Sequence, residues 1–105
     1  MSVVYGPCST LVVFHGELDV ATLHDLREEV ARILAFAPSV VVLDLGRVDF
    51  IDSMGVVLLL QIRQGIVHHQ GGTLKVAAVS PAVHHVFDVC GLTHVFNVDG
   101  DANLV

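Results

Sequence analysis

Ser53 is the side chain best placed to do chemistry. It stands in Asp49-Phe50-Ile51-Asp52-Ser53-Met54-Gly55, between the apolar run Val40 to Leu45 and the wholly apolar run Val56 to Leu60. Read from residue types, a strand enters a short acidic turn, and the turn delivers one serine to the start of a hydrophobic helix. A hydroxyl held there sits at the positive end of the helix dipole, among backbone N–H groups that lack intrahelical partners. That is a favourable place for a phosphate, and a covalently attached phosphate there would act as a charge switch. Taken alone, Ser53 reads as a helix N-cap, Asp52 as a turn residue, and Met54 as the filler of the first helical position or an exposed contact. Gly55 reads as a point of close backbone approach.

The other reactive side chains form no comparable constellation. Seven histidines include the adjacent pairs His68-His69 and His84-His85. Neighbours in a helix point about 100° apart, so an adjacent pair is not a chelate. The His-x-x-x-His spacing that favours a metal does not occur, and no metal is expected. There is no defensible Ser-His-Asp spacing, glycine-rich phosphate loop or zinc pattern. No enzymatic activity and no cofactor are therefore expected, and Ser53 reads as a substrate rather than a nucleophile. Cys8 and Cys90 are too few and too far apart for a disulfide framework and read as free thiols.

Composition narrows the partners. The chain has 105 residues, with 53% hydrophobic and only 15% charged, which suits one domain and exceeds what a core needs. The net charge is −6, and Lys75 is the single lysine beside four arginines. That balance argues against nucleic-acid binding through phosphate neutralisation and against attraction to an anionic membrane surface. A protein with a basic face suits it better. Apolar runs such as Val56 to Leu60 fall far short of the ~20 residues that span a bilayer, so no membrane insertion is expected. No charged segment followed by an apolar stretch marks a signal peptide, so cytoplasmic residence is the expectation.

The elements that must position Ser53 can be read in order. Val3 to Tyr5 and Thr10 to Phe14 predict a hairpin around Gly6-Pro7-Cys8-Ser9. Gly16-Glu17-Leu18-Asp19 predicts a second turn. Leu23, Leu26, Val30, Ile33 and Leu34 recur at helical spacing within a helix from Ala21 to Phe36. Asp19, or Thr22 with Asp25, can cap it, and Pro38-Ser39 end it. Val40 to Leu45 predicts a buried central strand. Met54 to His69 is a second helix, stopped by Gly71-Gly72, and Thr73 to Val79 the next strand. Ser80-Pro81 opens a third helix to about Val89, with Gly91 as its stop. His94 to Val98 predicts a last short strand. The fold class is therefore α/β: one domain over residues 1–105, a mixed, mostly parallel sheet with helices packed against it, in the order β-β-α-β-α-β-α-β.

Three motifs now resemble one family. Gly16-Glu17-Leu18-Asp19 looks like its first loop, and Asp52-Ser53-Met54-Gly55 like its Asp-Ser-x-Gly phosphoacceptor motif. Gly71-Gly72-x-x-Lys75-Val76, Ser80-Pro81-Ala82-Val83 and Phe87-Asp88-x-x-Gly91-Leu92 look like its fourth strand and third helix. The chain resembles the STAS domain over roughly residues 10 to 98, most closely the bacterial anti-sigma factor antagonists. The resemblance implies a partner-switching cycle. The unphosphorylated antagonist binds an anti-sigma factor, itself a serine kinase of the histidine-kinase-like ATPase fold, and so releases a sigma factor. Phosphorylation at the position of Ser53 ends the complex, and a metal-dependent serine phosphatase resets it. Asp19 corresponds to the family's acidic residue beside the phosphoserine. Asp19, Asp52, Ser53, Met54 and Gly55 form the implied partner-binding set.

Some positions depart from that pattern. Met54 replaces a small residue, Gly46 a small hydroxyl residue, and His84-His85 frequent basic ones. The tail is too short for the family's final helix, which leaves surface exposed or available to a homodimer. Two other readings remain open: a STAS subunit of a membrane lipid-transport ATPase complex, and a nucleotide-binding regulatory module.

Overall fold

Residues 1–7 and 9–96 are described by a computed structural model of the chain. Four strands are arranged in sequence order: β1 (Ser2–Tyr5), β2 (Ser9–Leu18), β3 (Val40–Ile51) and β4 (Thr73–Val79). β1 pairs antiparallel with β2, while β2–β3 and β3–β4 are parallel, giving the mixed, mostly parallel sheet expected. Helices α1 (Leu23–Phe36) and α2 (Ser53–Arg63) make the two crossovers, and α3 (Pro81–Val89) follows β4. Both crossovers step the same way along the sheet. With right-handed connections, α1 and α2 must then lie on the same face.

Burial along the strands follows from that one-sided layering. In β3, Val41, Leu43 and Leu45 are fully buried, while Val40, Val42 and Asp44 are only half-buried. The expectation of a buried central strand therefore holds on one face: the apolar run, broken by Asp44, packs Val41, Leu43 and Leu45 against helices and leaves the alternate positions half-buried. The core joins Val12, Phe14 and Leu18 of β2 to Ile33 of α1, Leu58, Leu59 and Ile62 of α2, and Val83 and Phe87 of α3. The stripe read for α1 is present, with Leu23, Val30 and Ile33 buried and Leu26 and Leu34 packed against them.

Two predicted turns are strand instead. β2 continues to Leu18, with Gly16 at φ +79° inside it, and β3 continues through Asp49 and Phe50 to Ile51. Register shifts against β2 between Val13 and His15 and between Gly16 and Glu17 each place an extra residue in β3. Such bulges break the period of two and bend the strand, which is why Gly46 to Phe50 does not read as strand from its pattern.

The helix ends agree more closely with their sequence signals. α1 ends at Ala37, which takes a left-handed conformation (φ 54°) before Pro38. α2 runs on as a π-helical turn, Gln64–His69, and Gly71 (φ +69°) follows. At α3, the Ser80 hydroxyl accepts from the Val83 amide at 3.2 Å, Pro81 occupies the first turn and Gly91 (φ +71°) ends it. The predicted last strand is not formed over His94 to Phe96. These residues lie in a turn in which the Phe96 amide donates to Leu92, and the Phe96 ring stacks on Phe87 with centroids 4.9 Å apart. Burying that ring draws the chain back onto α3 rather than along the sheet edge. Asn97, Val98, the polar tail and Cys8 lie outside the described residues.

Phe87 is fully buried and in aromatic contact, so Phe87→Ala is expected to lower unfolding free energy by about 3–5 kcal/mol. Urea denaturation measures this, and a loss below about 1 kcal/mol would contradict the packing described.

Candidate functional site

The end of β3 sets the geometry. Ile51 is buried and pairs with Leu18, and the next residue, Asp52, keeps an extended backbone (φ −109°, ψ −174°). Its amide donates to the Leu18 carbonyl at 3.1 Å. Asp52 is thus the last residue tied to the sheet and the N-cap of α2. Its Oδ1 accepts from the amides of Met54 at 2.9 Å and Gly55 at 3.0 Å.

Ser53 is therefore not the cap but the first helical residue, exposed to solvent. No hydrogen bond among the described residues uses its hydroxyl. The reading of Ser53 as an N-cap is corrected, because Asp52 holds the extended conformation a cap requires and already satisfies two first-turn amides. Met54 moves correspondingly to the second helical position, where it is half-buried against the core. Gly55 is buried, and a side chain there would collide with the Leu18 carbonyl and approach Ile51 Cγ1 to 2.9 Å. Close backbone approach is the reason for this glycine, as expected.

Asp19 begins the loop after β2 and is half-buried. Its Oδ1 accepts from the amides of Ala21 at 3.0 Å and Thr22 at 3.1 Å, and the Thr22 hydroxyl lies between Glu17 and Asp19 carbonyls. Asp19 thus shapes the entry to α1, while Thr22, at the N-cap position, makes no side-chain cap. The Asp52-to-Leu18 hydrogen bond joins this loop to the start of α2. Asp19, Asp52 and Ser53 are brought to the same end of the sheet by that link. Asp49 lies in β3 itself, exposed between buried Val48 and Ile51.

The arrangement presents an exposed hydroxyl at a helix N-terminus, with Asp52 and Asp19 at the same end of the sheet, each bracing a loop through one carboxylate oxygen. Among the described residues, no three His, Cys, Asp or Glu side chains are grouped to hold a metal ion. The histidines are scattered: His24 lies 3.6 Å from Glu28, and His68 lies 3.4 Å from Arg63.

Exposed apolar side chains around the site were not anticipated individually. Val20 follows Asp19 and is 69% exposed, Phe50 precedes Asp52 at 50%, and Val57 lies one turn beyond Ser53 at 38%. The signal available for them is the excess of apolar residues over what a core of this size requires.

Removing the cap by Asp52→Ala should cost about 0.5–2 kcal/mol of stability. Gly55→Ala should cost about 1–3 kcal/mol through overpacking, exceeding the ~1 kcal/mol that alanine gains in helix propensity. Denaturant titration of both variants checks the pair, and a stabilised Gly55→Ala protein would contradict the close approach to Leu18.

Comparison with known proteins places this geometry in a family. The STAS domain model matches residues 2–103. A Bordetella bronchiseptica protein assigned as an anti-sigma factor antagonist, BtrV, is 31% identical over 88 residues, 84% of this chain and 75% of that protein. The crystal structure of an anti-sigma factor antagonist from Mycobacterium paratuberculosis superposes with a TM-score of 0.79 at 25% identity, covering 90% of this chain and 80% of that one. SpoIIAA in its unphosphorylated form superposes at 0.73 with 24% identity, covering 87% and 80%, and its phosphorylated Bacillus form at 0.70 with 22%, covering 89% and 85%. With the family model matched over residues 2–103 and a relative 31% identical over 84% of the chain, the chain belongs to the STAS domain family.

Proposed function

We propose that this chain is an anti-sigma factor antagonist whose binding is switched off by phosphorylation of Ser53. The observation that carries the reading is the division of labour between neighbours: Asp52 caps α2, so the Ser53 hydroxyl is exposed and free of structural duty. The name of the relative BtrV supports the antagonist role.

In the proposed cycle, the unphosphorylated protein binds an anti-sigma factor that is also a serine kinase. Ser53 Oγ attacks the γ-phosphorus of ATP, its proton passes to a base on the kinase, and ADP is the leaving group. The product phosphoserine carries about −1.5 to −2 charges. It faces the phosphates of ADP on one side and Asp52 and Asp19 on its own. The first-turn amides of Met54 and Gly55 are already taken by Asp52, so they are not free to bond the new phosphate, although the helix N-terminus tolerates it. Bulk and like-charge repulsion then weaken the interface, and each ~1.4 kcal/mol lost is tenfold in affinity. A serine phosphatase would restore the hydroxyl by hydrolysis. The fold need not change, in keeping with its likeness to SpoIIAA in both forms.

Incubation with ATP and candidate anti-sigma kinases, followed by mass analysis, tests the acceptor. One phosphate is expected on the tryptic peptide Val48 to Arg63, absent in Ser53→Ala, and its absence with every candidate would contradict the reading. Ser53→Ala should bind the kinase as tightly as the unmodified protein, and Ser53→Asp at least about tenfold more weakly. Equal affinities, by calorimetry, would remove the switch. Asp19→Asn keeps a capping side chain while removing charge, so it should weaken binding without lowering the melting temperature. Unchanged affinity would remove Asp19 from the interface.

A further inference from the structure

Beside Ser53, between the first turns of α2 and the C-terminal half of α3, lies an open groove of about 480 Å³. Its walls are Ile51, Val56 and Val57 on one side and Val86 and Val89 on the other. Asp52, Ser53, His85 and Cys90 complete the lining. The volume lies in the lower half of the ~300–1,000 Å³ range of ligand sites. Two of its walls are among the protein's exposed large hydrophobics, Val57 at 38% and Val89 at 72%. Neither is needed by the core, and both face solvent when the groove is empty.

We propose that this groove receives one large apolar side chain of the anti-sigma partner, carried on a segment with basic residues on either side. The inference rests on the reading of the protein as an antagonist and adds the chemistry of its anchor. The lining selects an apolar group, because Ile51 and four valines offer it no hydrogen bond. The surroundings select the flanks: Asp52 is among the lining residues, and Asp19 shares the sheet end with Asp52. The whole chain carries a net charge of −6, so a basic flank is favoured at long range as well as in contact. An aliphatic or aromatic anchor seated in such a pocket, with surrounding contacts that exclude water, is the arrangement that concentrates binding energy in few residues.

Two synthetic peptides test the groove without a kinase. They share a Leu-Phe-Leu core, one flanked by lysines and the other by glutamates, and are titrated into isotope-labelled protein carrying Cys8→Ser. The lysine peptide is expected to shift the amide signals of Val56, Val57, Val86 and Val89 and to slow alkylation of Cys90 by N-ethylmaleimide. The glutamate peptide should bind at least about tenfold more weakly. The double variant Val57→Ser, Val89→Ser, changed only at exposed positions, should keep its melting temperature and lose the response to the lysine peptide. Equal response to both peptides, shifts on the open sheet face at Val4 and Leu11, or no shift at millimolar peptide would each overturn the proposal. Phosphate transfer to Ser53 is measured separately, so loss of the groove and loss of the switch are told apart.

Discussion

The amide of Asp52 donates to the carbonyl of Leu18 across 3.1 Å, and that crossing fixes how β2, β3 and α2 meet. It extends the parallel pairing of Leu18 with Ile51 by one hydrogen bond beyond the strand. It also forces α2 to begin against the end of β2, close enough that position 55 has no room for a Cβ. With the backbone so constrained, Asp52 is left extended and its carboxylate is aimed at the amides of the next turn. Ser53 is then the first residue whose side chain owes nothing to the fold. A site built this way holds the backbone in place and leaves the hydroxyl exposed, as the proposed phosphoacceptor role requires.

The same architecture explains how one small domain combines a core with the proposed partner-facing end. Sequence-order strands with right-handed crossovers put α1 and α2 on one face, and Phe87 and Val83 of α3 complete the cover. The loops that leave the C-terminal ends of β2 and β3 therefore emerge side by side, each opening a helix. Asp19 and Asp52 brace those two entries by the same device, a carboxylate oxygen accepting two backbone amides. A charge added at Ser53 falls between groups already committed to local structure. In the proposed switch it acts on the partner, while the strands and helices stay as they are.

Much of this was legible in the residues, for identifiable reasons. The third helix announces itself, since Ser80, Pro81 and Gly91 each occupy a position that only a few residue types favour. The α1 stripe is visible because a period of 3.6 survives over its whole length. Ser53 stands out through its motif. Less legible is which of two adjacent preferred caps holds the cap. Asp52 and Ser53 are equally suitable locally, and the choice is made by a hydrogen bond to Leu18, which is distant in sequence. The second half of β3 was hidden by its bulges, since Gly46, Arg47 and Asp49 do not alternate with apolar residues as a regular strand would. The turn expected at Gly16 failed for a related reason: its positive φ lies within a register shift, not at a chain reversal. The groove could not be read at all, because Val57 and Val89, far apart in sequence, come to line one groove only in the folded chain.

The central claim is that a phosphate on Ser53 changes what the protein binds and not how it folds. Its most direct test is to install phosphoserine at position 53 during expression and compare amide spectra and kinase affinity with the unmodified protein. The account predicts shifts confined to residues near Leu18 to Ala21 and Phe50 to Val57, an unchanged spectrum for the core of β2 and β3, and loss of binding. Undiminished binding, or shifts spread through Phe14, Leu43 and Phe87, would contradict it.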